Sequence, residues 1–164
     1  RRRRPEPGAA AEADQRTVQT AAYALLAGRD FSRHELTERL LRKGYGAAVV
    51  EAAVVAIVQE GFLREERFAE QFVTQRAGRG QGPLRVRMGL RDKGVEPEMI
   101  DQALDTTETD WVQAAREARR RKFGLSPPAD YRERAKQARF LQYRGFSSDQ
   151  IRAALGPGDD DPDL

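Results

Sequence analysis

The sequence predicts an all-α protein of three tandem three-helix repeats, an elongated, curved stack of right-handed helices with disordered ends. Three observations lead there. One word recurs three times: Leu40-Leu41-Arg42-Lys43-Gly44-Tyr45, Leu90-Arg91-Asp92-Lys93-Gly94-Val95 and Leu141-Gln142-Tyr143-Arg144-Gly145-Phe146. Its glycines lie 50 and 51 residues apart, a period that marks stacked repeat units. Apolar residues keep helical spacing around every copy, while strand-type alternation is nearly absent.

Each element then follows in order. Residues 1–16 carry Arg1–Arg4, two prolines and an Ala-rich run without a packing pattern, and are expected to be disordered. The first repeat is expected over 17–63. It opens with a helix over Thr17–Ala27, whose Val18, Ala21, Ala22 and Leu25 share a face. Ser32-Arg33-His34-Glu35 reads as a capping box that starts the second helix. Gly44 suits the left-handed position that ends it, and Lys43 complements the helix dipole. Ala47–Val58 is apolar on nearly every side, so a helix buried all round is expected there. Gly61 closes it, and Phe62-Leu63 are expected to pack back.

The second repeat is expected over 64–105. Phe68 and Phe72 mark the inner face of its first helix, Glu65–Arg79. Gly82-Pro83 starts the second, the word at Lys93-Gly94 ends it, and Glu96-Pro97 starts the third. The third repeat is expected over 106–155. Trp111, Ala114, Ala115 and Ala118 share a face of a helix over Asp110–Phe123. Ser126-Pro127-Pro128 marks the next start, and Ser147-Ser148-Asp149-Gln150 is a second capping box. The stretch 156–164 holds Asp159, Asp160, Asp161 and Asp163 and reads as a disordered acidic tail.

Composition narrows the function classes. The 164 residues contain no cysteine, so disulfides and thiolate metal sites are excluded. No apolar run is long enough to span a bilayer and no secretory signal is visible, so a cytoplasmic protein without membrane partners is expected. Between Thr17 and Leu155 there are 24 Lys/Arg against 19 Asp/Glu. The excess is local: Arg76–Lys93 has six cations and one acid, and Trp111–Arg144 has ten and three. A concentrated positive face favours a polyanion, nucleic acid above all.

The candidate contacts lie in those two stretches. Arg116, Arg119 and Arg120 are spaced as one helix face, away from the Trp111–Ala118 stripe and extended by Arg121 and Lys122. Arg132, Lys136 and Arg139 repeat the spacing, with Arg144 beyond them. Arg87 and Arg91, flanked by Arg85 and Lys93, form a second patch, with Arg76 and Arg79 upstream. Solvated faces with local ion pairs are the plainer reading of each. The turn Gly78-Arg79-Gly80-Gln81-Gly82-Pro83 lacks the Lys-Ser/Thr of a phosphate-binding P-loop and follows no strand, so it reads as a flexible joint. Tyr143 is a weaker stacking candidate. His34 is the single histidine and has no nucleophile or second ligand at matching spacing. The pairs Glu65-Glu66 and Glu96/Glu98 sit where helix first turns attract acids. No catalytic, metal or cofactor site is expected, and an enzyme is disfavoured.

The distributed pattern resembles the RecX family of recombination regulators. The residues that carry the resemblance are Leu40, Lys43-Gly44 and Val50, then Gly61-Phe62-Leu63, Arg67-Phe68-Ala69, Phe72-Val73 and Arg76, then Leu90, Lys93-Gly94 and Ile100. The resemblance covers about Ala21 to Leu155. Arg64 and Glu65 stand where members of that family often carry aspartates, so the charge at the first position is reversed. The resemblance implies three tandem three-helix repeats. It further implies a monomeric, non-enzymatic regulator in DNA repair, homologous recombination and the SOS response. Such a protein binds the filament of RecA on single-stranded DNA and dampens its strand exchange, ATPase and co-protease activities. Single-stranded DNA, and double-stranded DNA besides, would be further partners. The alternative is a general basic helical protein that competes for DNA, and a third reading is a purely protein-binding adaptor.

Overall fold

The computed structural model describes residues 7–157, with side chains from Asp14 onward. All of its regular structure is helical. The nine helices among the described residues are α1 Pro7–Gly28, α2 Arg33–Arg42, α3 Ala47–Gln59, α4 Glu65–Gly78, α5 Pro83–Asp92, α6 Pro97–Thr106, α7 Trp111–Phe123, α8 Tyr131–Tyr143 and α9 Ser148–Leu155. They fall in the expected sets of three.

Four boundaries or faces differ from the sequence expectation. Helix α1 starts at Pro7 rather than Thr17, so residues 7–16 are helical; residues 1–6 and 158–164 lie outside the described residues. Proline is tolerated in a first turn, and the following Ala-rich run is helix-forming even without an apolar stripe. Helix α8 starts after Asp130, whose side chain accepts the Glu133 amide at 2.8 Å, and not at Ser126-Pro127. Helix α3 buries one face only: Val50, Ala53, Val54 and Ile57 are inside, whereas Val55 and Val58 are exposed. The Ser32 box is half formed. Ser32 accepts the Glu35 amide at 3.0 Å, but the Glu35 carboxylate is engaged by Lys93 and Arg29 instead.

The chain divides into two compact units. The first holds the described residues up to Ala69 together with Lys93–Val95. In it α1, α2 and α3 pack on one another around Val18, Leu36, Leu40, Val54 and Ile57. Each such fully buried aliphatic side chain contributes about 1.5–3 kcal/mol relative to exposure. Leu63 is buried in the same core, and Phe62 meets Tyr23 edge-on at 5.1 Å.

The second unit holds Glu70–Asp92 and the described residues from Glu96. Helices α7, α8 and α9 enclose Ala114, Ala115, Ala118, Leu141, Phe146 and Ile151. Helix α5 packs on α6 and buries Val86 and Leu90. The ring of Phe72 lies so close to Gly89 that an added Cβ would meet it at 2.8 Å.

The recurring word ends a helix each time, as expected. Gly44, Gly94 and Gly145 have φ of +95°, +71° and +92°. At the third copy Gly145 donates to the Gln142 carbonyl at 3.0 Å and Phe146 to the Leu141 carbonyl at 3.2 Å, the paired bonds of a Schellman stop. The second and third copies also make a joint. The Lys93 carbonyl accepts from the Ser32 hydroxyl at 2.7 Å, next to the start of α2. The Arg144 carbonyl accepts from the Gly82 amide at 2.8 Å, and that of Gly145 from Leu84 at 3.0 Å, at the start of α5. The Gly78–Pro83 segment is therefore a packed seat rather than a flexible joint.

Candidate functional site

The basic residues divide by what holds them. Asp110 caps α7 through the Gln113 amide at 2.9 Å and turns the Ala114, Ala115 and Ala118 stripe inward. That rotation also takes Arg119 inside, where it is 7% exposed. Arg119 donates to Gln137 Oε1 at 2.7 Å and to the Ser126 carbonyl, tying α8 and the preceding loop to α7. The expected Arg116–Arg119–Arg120 face is thus broken at its centre. Arg116 donates to the Ala153 carbonyl at 3.3 Å in the last turn of α9. Only Arg120 of the three is exposed without a protein partner among the described residues.

The second expected patch is dispersed in the same way. Lys93 pairs with Glu35 at 2.6 Å within the first unit. Burial alone would push the Glu35 carboxyl up, but hydrogen bonds from Lys93 and Arg29 outweigh it and hold the group below its ordinary value. Arg87 pairs with Asp101. Arg85 turns to the carbonyl of Tyr143 at 3.0 Å, with its guanidinium over that ring. Arg91 remains exposed.

Four candidates, contributed by α7 and by the ends of α4 and α8, do converge. Arg79 follows α4, Arg121 and Lys122 end α7, and Arg144 caps α8. Together with Gly80, Ala118 and Phe140 they line a cleft of about 260 Å³ in the second unit. Local chemistry brings them there. Gly80 turns the chain at φ +79°, and a Cβ on it would lie 3.2 Å from the Ala118 Cβ. Arg121 donates to the Gly78 carbonyl at 3.1 Å, and Arg144 lies 5.3 Å over the Phe140 ring. No acid lines this cleft, and no salt bridge among the described residues reaches any of the four cations. Unpaired like charges held together raise the local potential and attract an anion, most strongly one with several charges in a row.

The remaining candidates lie apart from it. Lys136 is 3.7 Å from Glu133 and sits over Phe123. Arg132 is exposed. Arg139 lines a separate hollow of about 280 Å³ with Tyr131 and Arg152. Arg76 lies over Phe72 at 4.8 Å beside a groove of about 610 Å³ that Leu84, Met88 and Tyr143 also line. Leu84 and Met88 are not among the candidates that the sequence suggests. Their signal is that α5 carries apolar residues on a second face besides Val86 and Leu90.

Glu65 holds the backbone in place: its carboxylate accepts the Arg33 amide at 2.7 Å, at the start of α2. His34 is exposed and 3.5 Å from Glu38. Among the described residues no group of three His, Cys, Asp or Glu is placed to hold a metal, and no helix is long and apolar enough to cross a membrane.

Comparison with known proteins finds the same family three times along the chain. Profiles described as the first, second and third three-helix domains of RecX match residues 20–55, 65–104 and 108–155. The chain is 47% identical over 156 residues to the regulatory protein RecX of Halorhodospira halophila, covering 95% of this chain and 94% of that one. A regulatory protein RecX of Pseudomonas fluorescens is 45% identical, over 88% of this chain and 94% of the relative. The crystal structure of RecX from Lactobacillus salivarius superposes with a TM-score of 0.71 at 20% identity, covering 85% of this chain and 93% of that one. A second RecX crystal structure gives 0.73 over 86% of this chain and 71% of the other.

Proposed function

The chain belongs to the RecX family, and on that premise we propose that it regulates RecA by binding its filament on single-stranded DNA. It does so without catalysis of its own, and it lowers the filament's recombinase, ATPase and co-protease activities. The observation that carries the reading is the acid-free cleft of Arg79, Arg121, Lys122 and Arg144. Four cations from three places in the fold have no protein counter-charge there, and a DNA backbone supplies one at regular spacing. Neutralising phosphates releases condensed counterions, so affinity gained this way falls steeply with salt.

The same cleft favours a second reading, a basic protein that acts by competing for DNA. The two differ in preference. Binding of the purified protein to an oligothymidine is compared with binding to RecA filaments on the same strand. The regulator binds the filament more tightly by about tenfold or more, a difference of about 1.4 kcal/mol or above. Equal affinity for bare strand and filament leaves competition as the explanation, and no affinity for either sinks both.

A further inference from the structure

Two groups of cations in the second unit lie on surfaces of unlike chemistry. The Arg79–Arg121–Lys122–Arg144 cleft presents charge with almost no exposed apolar side chain. The 610 Å³ groove is different. Leu84 and Met88, one turn apart on α5, are 54% and 62% exposed, and Tyr143 is 76% exposed. Phe72 forms its buried wall.

Two arginines stand among these residues. Arg85 lies 5.1 Å over the Tyr143 ring, and Arg76 lies 4.8 Å over Phe72. No carboxylate among the described residues pairs with either, and Arg76 Nε has no hydrogen-bond partner. Asp92 is the single acid in the lining.

This composition does not suit a nucleic-acid backbone. A phosphodiester gains nothing from Leu84 or Met88, and one face of the exposed aromatic ring is already covered by Arg85. Arg, Tyr and Met are instead the side chains enriched at the cores of protein interfaces. Leu84 and Met88 would bury an apolar side chain, while Arg76 and Arg85 would take a carboxylate in charge-assisted hydrogen bonds. Charge complementarity therefore selects a peptide segment that joins an apolar residue to an acid.

We propose that this groove is a protein-docking surface for such an apolar–acidic segment, separate from the phosphate-binding cleft. The inference rests on the function proposed above, and under it the segment belongs to the protein component of the filament. The regulator then holds DNA with one set of cations and protein with the other.

The test uses the full chain carrying Leu84→Gln and Met88→Gln. Both positions are exposed and the change is neutral; each single variant carries the same expectation should the double variant not fold. The probes are a fluorescent oligothymidine and RecA filaments assembled on it. Affinity for the filament is expected to fall about tenfold or more, with oligothymidine affinity kept within about twofold. Arg79→Gln with Lys122→Gln is expected to weaken oligothymidine binding instead. Loss of both affinities by one factor in the groove variant would mark a nucleic-acid surface and overturn the proposal. Retention of both would overturn it as well. Failure of the unaltered protein to bind filaments would overturn the functional reading on which it rests.

Discussion

The Gly82 amide donates to the Arg144 carbonyl at 2.8 Å, joining residues from two repeats through their backbones. A Cβ at position 82 would sit inside the van der Waals envelope of the Gly145–Phe146 backbone. The Ser32–Lys93 bond at 2.7 Å occupies the corresponding place in the first unit. The Arg/Lys-Gly word therefore has two duties in its second and third copies: it ends a helix, and it docks at the helix start of an earlier repeat. Gly44, in the first copy, has no atom near its missing Cβ.

That difference sets the ranking of glycine substitutions. Gly44→Ala pays only for its left-handed backbone, about 1–2 kcal/mol. Gly94→Ala adds a clash, since its Cβ would lie 2.6 Å from that of His34. Overpacking of this kind costs about 1–3 kcal/mol more. Chemical denaturation of both variants checks the order. Equal destabilisation would mean that the second word does not seat against α2.

Arg119 is expected to act on stability and not on binding. Arg119→Ala leaves Gln137 buried without its donor, at a cost of about 1–3 kcal/mol. Affinity for an oligothymidine should change little in the folded variant. A variant of unaltered stability and sharply weakened DNA binding would restore Arg119 to the basic face.

Glu35 links stability to pH. Its carboxyl is held below the ordinary value in the folded chain. The stabilisation is therefore fully present above the unfolded carboxylate value, about 4.3, and is lost as pH falls through the lower folded value. In Glu35→Gln that part of the acid limb should flatten. Urea midpoints followed from neutral to acid pH measure it, and parallel curves for the two proteins would remove Glu35 from the acid response.

Salt dependence reads the cleft directly. Each phosphate contact on a single strand contributes about −0.7 to the slope of log affinity against log salt. Arg79→Gln with Lys122→Gln should make the slope shallower by about 1.4 if both cations contact phosphates. An unchanged slope would place the contacts elsewhere.

The helices are legible in the sequence because their ends are written locally, in Gly44, Gly94 and Gly145, in Pro97 and in the Ser147 box, which forms with both of its bonds. What the sequence hides depends on residues far apart. Gly82 looks flexible because its partner, Arg144, lies in another repeat. Arg119 looks exposed because a charged residue beside the Ala115–Ala118 stripe is rarely buried, and its acceptor Gln137 is on a different helix. Helix α3 misleads because alanines at Ala47, Ala48 and Ala52 do not mark a face: they read as apolar yet are exposed. The prolines at 127 and 128 draw the start of α8 away from Asp130, where the cap forms. The cleft itself is half visible. All four of its cations are sequence candidates, but only the fold separates them from Arg87, Lys93 and Arg119.

ATP hydrolysis by RecA filaments on single-stranded DNA, titrated with this protein and with its Arg79→Gln/Lys122→Gln variant, tests the central claim most directly. The unaltered chain is expected to slow hydrolysis, and the variant to need a concentration about tenfold or more higher to do the same. An unaltered chain without effect at several-fold molar excess over RecA, or a variant as potent as its parent, would contradict it.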